Sequence, residues 1–329
     1  MVSPNFDIQM PWYLKQEVPE IVDKFRFIQQ QEDLRLRDAT MYPEESRWSL
    51  GVSVDEKNDC RNRYVNIMPY ERNRVRLQVQ EGSDYINASY IKVSVPTQSL
   101  RPGHYIATQG PTKRTWQQFW QMCYQICPQD DVVVVMVTPL VEAGREKCFK
   151  YWPSNETKLH VARQQDVGDA DLEKSTFPSA LDVSFESVTQ EDHYVVTRLR
   201  LTPEMPNLAP KTVHHFYFDQ WKDMSKPDEI LPILKLSRHS HSVNGAQNPI
   251  IVHCSAGVGR TGTFITLDHL FHDTYDFTQS SPLQGYKHDL IEQIILQLRT
   301  QRLKMVQMID QYIFIYNAAR WLFQMEHPS

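Results

Sequence analysis

No segment of this 329-residue chain is apolar for long enough to cross a bilayer; the longest apolar run, Val132 to Val137, has the length of a strand. Met1 to Trp12 carries neither a basic cluster nor an apolar stretch, so no secretory leader is expected. Positive charge is not in excess. A net charge of −5 and a pI near 6.2 give no reason to expect nucleic acid or an anionic membrane as partner. Cysteine is sparse: the five (Cys60, Cys123, Cys127, Cys148, Cys254) are odd in number and unrelated in spacing. That excludes a disulfide framework and leads us to expect a reduced, cytoplasmic setting. Cys123 and Cys127 fall on one helical face, as metal ligands could, but no further cysteine or histidine nearby completes four ligands. They are read as core thiols, and no metal is expected. Internal repeats and low-complexity runs are missing too, and the 41% hydrophobic content is ordinary for a globular chain.

What is present centres on Pro249 to Leu267, PIIVHCSAGVGRTGTFITL. Ile250, Ile251 and Val252 form the short β-branched run of a strand buried on both faces. A small-residue loop, His253 to Arg260, follows, and an apolar-periodic segment (Phe264, Leu267, Leu270, Phe271) predicts a helix. Strand, glycine loop and helix N-terminus make an anion site, because successive N–H groups point inward and the helix dipole adds about half a positive charge. Cys254 opens the loop and Arg260 stands six residues later. A thiolate is the nucleophile of cysteine chemistry, and such surroundings favour the thiolate. A guanidinium fork fits two oxygens of a phosphoryl group. Gly257, Gly259 and Gly262 also spell the dinucleotide-binding pattern, but that needs a second parallel strand after the helix, and no such strand is predicted.

With VHCSAGVGRTG in this form, the chain resembles the classical protein-tyrosine phosphatases, most closely the small cytosolic fungal members. The resemblance covers about residues 20 to 325. It implies a single α/β domain, a twisted mixed sheet with helices on both faces. Residues 1–58 are expected to form a helical segment and linker packed on a catalytic domain at 59–325. By resemblance Cys254 is the nucleophile, Arg260 and the N–H groups of Ser255, Ala256, Gly257, Val258 and Gly259 hold the phosphoryl oxygens, Thr261 donates to the departing sulfur, and His253 shapes the loop. The stretch Asn62-Arg63-Tyr64-Val65-Asn66 matches the family's phosphotyrosine-recognition loop, with Tyr64 stacking on the substrate ring and Asn66 bonding its backbone. Glu142 orients the arginine and Lys147, in Lys-Cys-x-x-Tyr-Trp-Pro, lies beside the site. Gln307 and Gln311 match the water-positioning glutamines, with Met308 in place of the usual threonine. Asp223 stands where the family places its general acid, in Trp-Lys-Asp, so that Lys222 replaces the family's proline. The implied reaction is hydrolysis of phosphotyrosine in proteins without metal or organic cofactor, by a protein expected to be monomeric. A binding module without turnover, and a phosphatase for phosphoserine, phosphothreonine or lipid phosphate, are the alternatives.

Periodicity elsewhere predicts helices from Met10 to about Arg37, over Trp116–Cys127, Ile230–His239, Asp289–Arg302 and Tyr312–Phe323. Strands are predicted at Arg74–Val79, Asp84–Ile91, Tyr105–Thr108, Asp131–Thr138 and His214–Phe218, with a hairpin through Leu181–Leu201. Thr40–Asp59 reads as a linker, Ser154–Ser179 has no interpretable pattern, and His239 and His241 read as solvated.

Overall fold

The computed structural model describes residues 10–94, 103–166, 174–221, 230–272 and 288–326. The continuous apolar runs become the centre of a nine-stranded sheet, because a strand without alternation must be covered on both faces. Its strands are β1 (Arg74–Arg76), β2 (Tyr85–Val93), β3 (Gly103–Thr108), β4 (Asp131–Met136), β5 (Lys158–Val161), β6 (Leu181–Gln190), β7 (Val195–Pro203), β8 (Lys211–Tyr217) and β9 (Ile250–His253). They lie in the order β1-β2-β3-β9-β4-β8-β7-β6-β5. The inner four, β3, β9, β4 and β8, are parallel, and the outer pairs are antiparallel.

Register brings the carboxyl ends of the parallel strands level. His253 pairs with Thr108 on one side and Met136 on the other, and Met136 pairs with Tyr217. Open α/β sheets bind ligands in the crevice beyond such ends. Here Gln109-Gly110, Thr138 to Glu142, the loop from Cys254 and the segment from Phe218 follow directly on those strand ends.

Alternation on β4 divides two cores. Val133, Val135 and Val137 face a layer built on α3 (Ile230–Val243), α4 (Gly259–His272), α5 (Leu290–Arg299) and α6 (Ile309–Glu326), with α1 (Val18–Met41) packed outside. Val132, Val134 and Met136 face α2 (Trp116–Ile126) with Tyr151, Trp152 and Phe177. Cys123 and Cys127 are fully buried in this second core, and burial pushes both thiols up.

Several expectations need correction. The first helix does not start at Met10: a 3-10 turn, Trp12–Lys15, comes first, and α1 opens at Val18, where Glu17 and Glu20 form a capping box around Pro19. The Thr40–Asp59 stretch is held rather than loose, since buried Ser53 donates to Pro69 O and Asn58 is buried. Helix α3 runs on to Val243, four residues past the predicted end at His239. His239 and His241 are not solvated either: Tyr194 Oη lies 2.9 Å from His239 Nδ1, and His241 Nε2 donates to buried Asp268 Oδ2 at 2.6 Å. The fifth helix stops at Arg299, which frees Arg302 to turn into the interior. Part of the uninterpreted 154–179 stretch supplies edge strand β5 and two strands of a small separate sheet.

Candidate active site

Beyond the carboxyl end of β9 lies a cleft of about 370 Å³. Tyr64, Asn66, Glu142, Lys147, Cys254, Ser255, Ala256, Gly259, Arg260, Gln307 and Gln311 line it, so eleven of the sixteen residues singled out from sequence meet in one place. His253, Gly257, Val258 and Thr261 lie behind this lining as parts of the loop's support. Asp223 and Lys222 are outside the described residues. Ile67 and Thr138 also line the cleft, and nothing in their local pattern marks them.

The loop takes its shape from three constraints. Gly257 has φ +75° and backs onto Thr108; a Cβ there would meet Thr108 O at 2.2 Å. Only glycine fits this close approach at positive φ. Gly262 lies so close to Val306 N that a Cβ would come within 2.5 Å. Between them, Val258 O accepts from Gly262 N and from Val306 N, each at 3.0 Å. Val306 itself sits at φ +59°, a costly conformation for a β-branched residue, held in place because Arg299 Nη2 donates to its carbonyl at 2.9 Å.

Cys254 is 5% exposed at the bottom of the cleft, and Gly257 N–H points at its sulfur from 3.3 Å. The N–H groups of Ser255, Ala256, Val258, Gly259 and Arg260 meet no protein acceptor among the described residues. They stand where α4 begins, so their donors and the helix dipole add. Arg260 donates through Nη2 to Glu142 Oε1 at 2.7 Å, which aims the guanidinium while leaving its other donors available. Ser255 Oγ donates to Lys147 O at 2.8 Å and receives the Tyr64 hydroxyl at 2.7 Å, tying the recognition loop to the cysteine loop.

Beneath the cysteine, His253 is fully buried. Its Nδ1–H donates to Cys254 O at 3.0 Å, so its Nε2 accepts from Tyr151 Oη at 2.6 Å. Tyr151 Oη in turn accepts from His215 Nε2 at 2.7 Å. Burial is the main reason that His253 is pushed down to about 4, and it holds His215 low as well, so both rings are neutral near pH 7. Thr261 Oγ1 is buried and makes no hydrogen bond, so the expected bond from Thr261 to the sulfur is not formed in this structure.

One supporting residue escaped the sequence reading. Arg302, fully buried, donates through Nε to Gly257 O (2.9 Å) and through Nη2 to Ala256 O (3.1 Å) and Asn87 Oδ1 (2.8 Å), with Nη1 on Ser89 Oγ (3.0 Å). By pulling the loop carbonyls away from the cleft it turns the neighbouring N–H groups toward it. Burial lowers its guanidinium to about 10, which leaves it charged. Asn87 and Asn62 make the other tie: Asn87 Nδ2 donates to Ile67 O and to Asn62 Oδ1.

A parallel-sheet crevice holding a buried cysteine inside a ring of outward-facing donors, with one guanidinium at its side, defines a site built to hold a phosphoryl group. Comparison with known proteins narrows this. The sequence profile described as protein-tyrosine phosphatase matches residues 58–321, and the chain belongs to that family. Over 325 residues it is 59% identical to Tyrosine-protein phosphatase 1 of Saccharomyces cerevisiae, covering 95% of this chain and 97% of that one. It is 36% identical over 303 residues to Tyrosine-protein phosphatase 2 of Schizosaccharomyces pombe, covering 91% of this chain and 38% of that one. A solved structure described as the structural basis of PTPN18 fingerprint on distinct HER2 tyrosine phosphorylation sites shares the fold, with TM-score 0.71, 23% identity, and coverage of 93% of this chain and 94% of that one. The chain is a non-receptor fungal-type protein-tyrosine phosphatase, a hydrolase that dephosphorylates phosphotyrosine. Among the described residues no helix is long and apolar enough to cross a membrane.

Proposed function

We propose that turnover runs through a cysteinyl-phosphate intermediate on Cys254. The thiolate attacks phosphorus and the P–O bond to tyrosine breaks, while the Arg260 guanidinium and the N–H groups of Ser255, Ala256, Val258, Gly259 and Arg260 hold the equatorial oxygens. Asp223 gives its proton to the departing tyrosinate. It then takes one from a water placed by Gln307 and Gln311, which attacks phosphorus, breaks the P–S bond and regenerates the thiolate. Tyr64 forms the aromatic wall of a deep pocket and Asn66 bonds the substrate backbone; Lys147 adds charge at the rim. His253 keeps the carbonyl of Cys254 turned away from the reacting face. Thr261 requires a rotation of its unengaged hydroxyl to reach the departing sulfur.

The observation that carries this reading is the set of unengaged loop N–H groups surrounding Cys254. The part given to Asp223 rests on its place two residues after Trp221, which is buried against Phe218 and Phe314 just past the end of β8. The substrates are phosphotyrosine-bearing proteins met by a cytoplasmic monomer that needs no metal or organic cofactor and engages neither nucleic acid nor membrane. In Asp223→Ala, kcat on a phosphotyrosine peptide falls by about 10²–10⁴ while the peptide still binds. The loss shrinks for aryl phosphates with acidic phenols, which leave without a proton. An equal loss across a leaving-group series removes Asp223 from the role of acid.

A further inference from the structure

Away from the cleft, three arginines gather around one indole ring. The guanidinium carbons of Arg72, Arg47 and Arg35 lie 5.1, 5.3 and 5.4 Å from the centroid of Trp48. They come from three separate segments: Arg35 from α1, Arg47 from the turn beyond it, and Arg72 from the 3-10 turn after the recognition loop. Arg47 and Arg72 are exposed, and Arg35 and Trp48 are half-buried. Glu71 N donates to Ser49 O at 2.8 Å, which joins two of these segments, and the Arg72 guanidinium donates through Nη2 to Thr300 O.

Two features make the cluster unusual. None of the three arginines forms a salt bridge among the described residues. The nearby carboxylates are already engaged: Glu71 by Arg74 and Arg76, and Glu32 by Arg299 and Lys304 N. Like charges have therefore been brought together without a counter-charge, and burial, followed by Arg47's charge, pulls Arg72 below its ordinary value. Second, three buried polar atoms here, Arg35 Nε, Arg35 Nη2 and the hydroxyl of fully buried Tyr70, lack a well-formed hydrogen bond, although Arg35 lies close enough to Tyr70 to favour its phenolate slightly. Tyr70 packs on Trp48 at 5.6 Å. Its phenol is pushed up to about 12, mainly by burial, so it stays a neutral hydroxyl. Buried donors nearly always find acceptors, and a group of them beside three cations calls for an anion with several oxygens.

We infer that Arg35, Arg47, Trp48 and Arg72 form a second anion site, separate from the catalytic loop, that takes a phosphoryl dianion. None of the four lines the catalytic cleft. Arg47 and Arg72, being exposed, fold onto the incoming oxygens, and Arg35 with Tyr70 supplies the inner donors. The same chemistry is carried by a second phosphorylated residue of a substrate protein or by free phosphate.

The test follows the indole N–H resonance of Trp48, assigned by its loss in Trp48→Phe, as inorganic phosphate is added at constant ionic strength. The resonance shifts and saturates, whereas chloride leaves it in place. In the double variant Arg47→Gln/Arg72→Gln the midpoint rises by about tenfold or more, and kcat on an aryl phosphate is unchanged. A Trp48 resonance that stays still while phosphate inhibits catalysis overturns the inference, as does an equal midpoint in the double variant. Kinetics on phosphotyrosine peptides with and without a second phosphorylated residue then identify the source. A KM lowered by the second phosphate in the wild type alone assigns the site to substrate, and an unchanged KM beside a titrating Trp48 assigns it to the free anion.

Discussion

Arg260 and Arg302 hold opposite sides of the same loop and do opposite things there. Arg260 lines the cleft, makes one bond to a carboxylate, and keeps its remaining donors available. Arg302 lies fully buried behind the loop with donors engaged by Ala256 O, Gly257 O, Asn87 and Ser89. The side chain is the same, so its chemistry does not decide the role. What decides is which donors remain unengaged and which way they face: those of Arg260 are open to the cleft, while those of Arg302 fix the loop that lines it.

That contrast can be broken from either side. Removing the open arginine has the largest effect: Arg260→Ala lowers kcat/KM on aryl phosphates by about 10³ or more and leaves the urea midpoint nearly unchanged. Removing the closed one acts through stability. Arg302→Met leaves two loop carbonyls and two side-chain oxygens without their charged donor and destabilises the fold by about 2–4 kcal/mol, read by urea unfolding. Its kcat/KM falls less, by roughly ten- to a hundredfold, because the cradle is misaligned rather than missing. If Arg302→Met matched Arg260→Ala in rate with unchanged stability, the distinction would collapse.

The smallest effect sharpens the comparison by pH. On the buried side His253 must stay neutral, with its pKa at about 4 when folded against an ordinary 6.5. The unfolded chain therefore binds a proton that the folded chain refuses, and stability is lost as pH falls from about 6.5 toward 4. Between pH 7 and 5 this amounts to about 2 kcal/mol. His215, also held low, adds in the same direction. The decline in the urea midpoint over that range is shallower in His253→Gln, and an unaltered decline means that His253 does not carry it.

The same contrast explains what the sequence could reveal. Cys254 and Arg260 are six residues apart between a β-branched strand and a helix, so local spacing already implies an anion cradle. The inner strands were readable because a buried parallel strand leaves a continuous apolar run, as in Asp131–Met136. Arg302 carries no such signal: it lies 45 residues from the loop carbonyl it holds, and its role exists only because α5 ends at Arg299 and turns it inward. His239 and His241 were misread for a related reason. Their partners, Tyr194 and Asp268, are 45 and 27 residues away, and local polarity suggested only solvent. The break before α1 was available in the sequence, in Glu17, Pro19 and Glu20, but apolar periodicity alone runs through it.

Turnover is expected to pass through the Cys254 sulfur as the atom that carries the phosphoryl group. Rapid acid quenching during turnover of an aryl phosphate, followed by mass spectrometry of the peptides, tests this most directly. One added phosphoryl group is expected on the peptide containing Cys254, localised to the sulfur and absent in Cys254→Ser, which no longer turns over. A phosphoryl group found on another residue, or sustained turnover by Cys254→Ser, would contradict it.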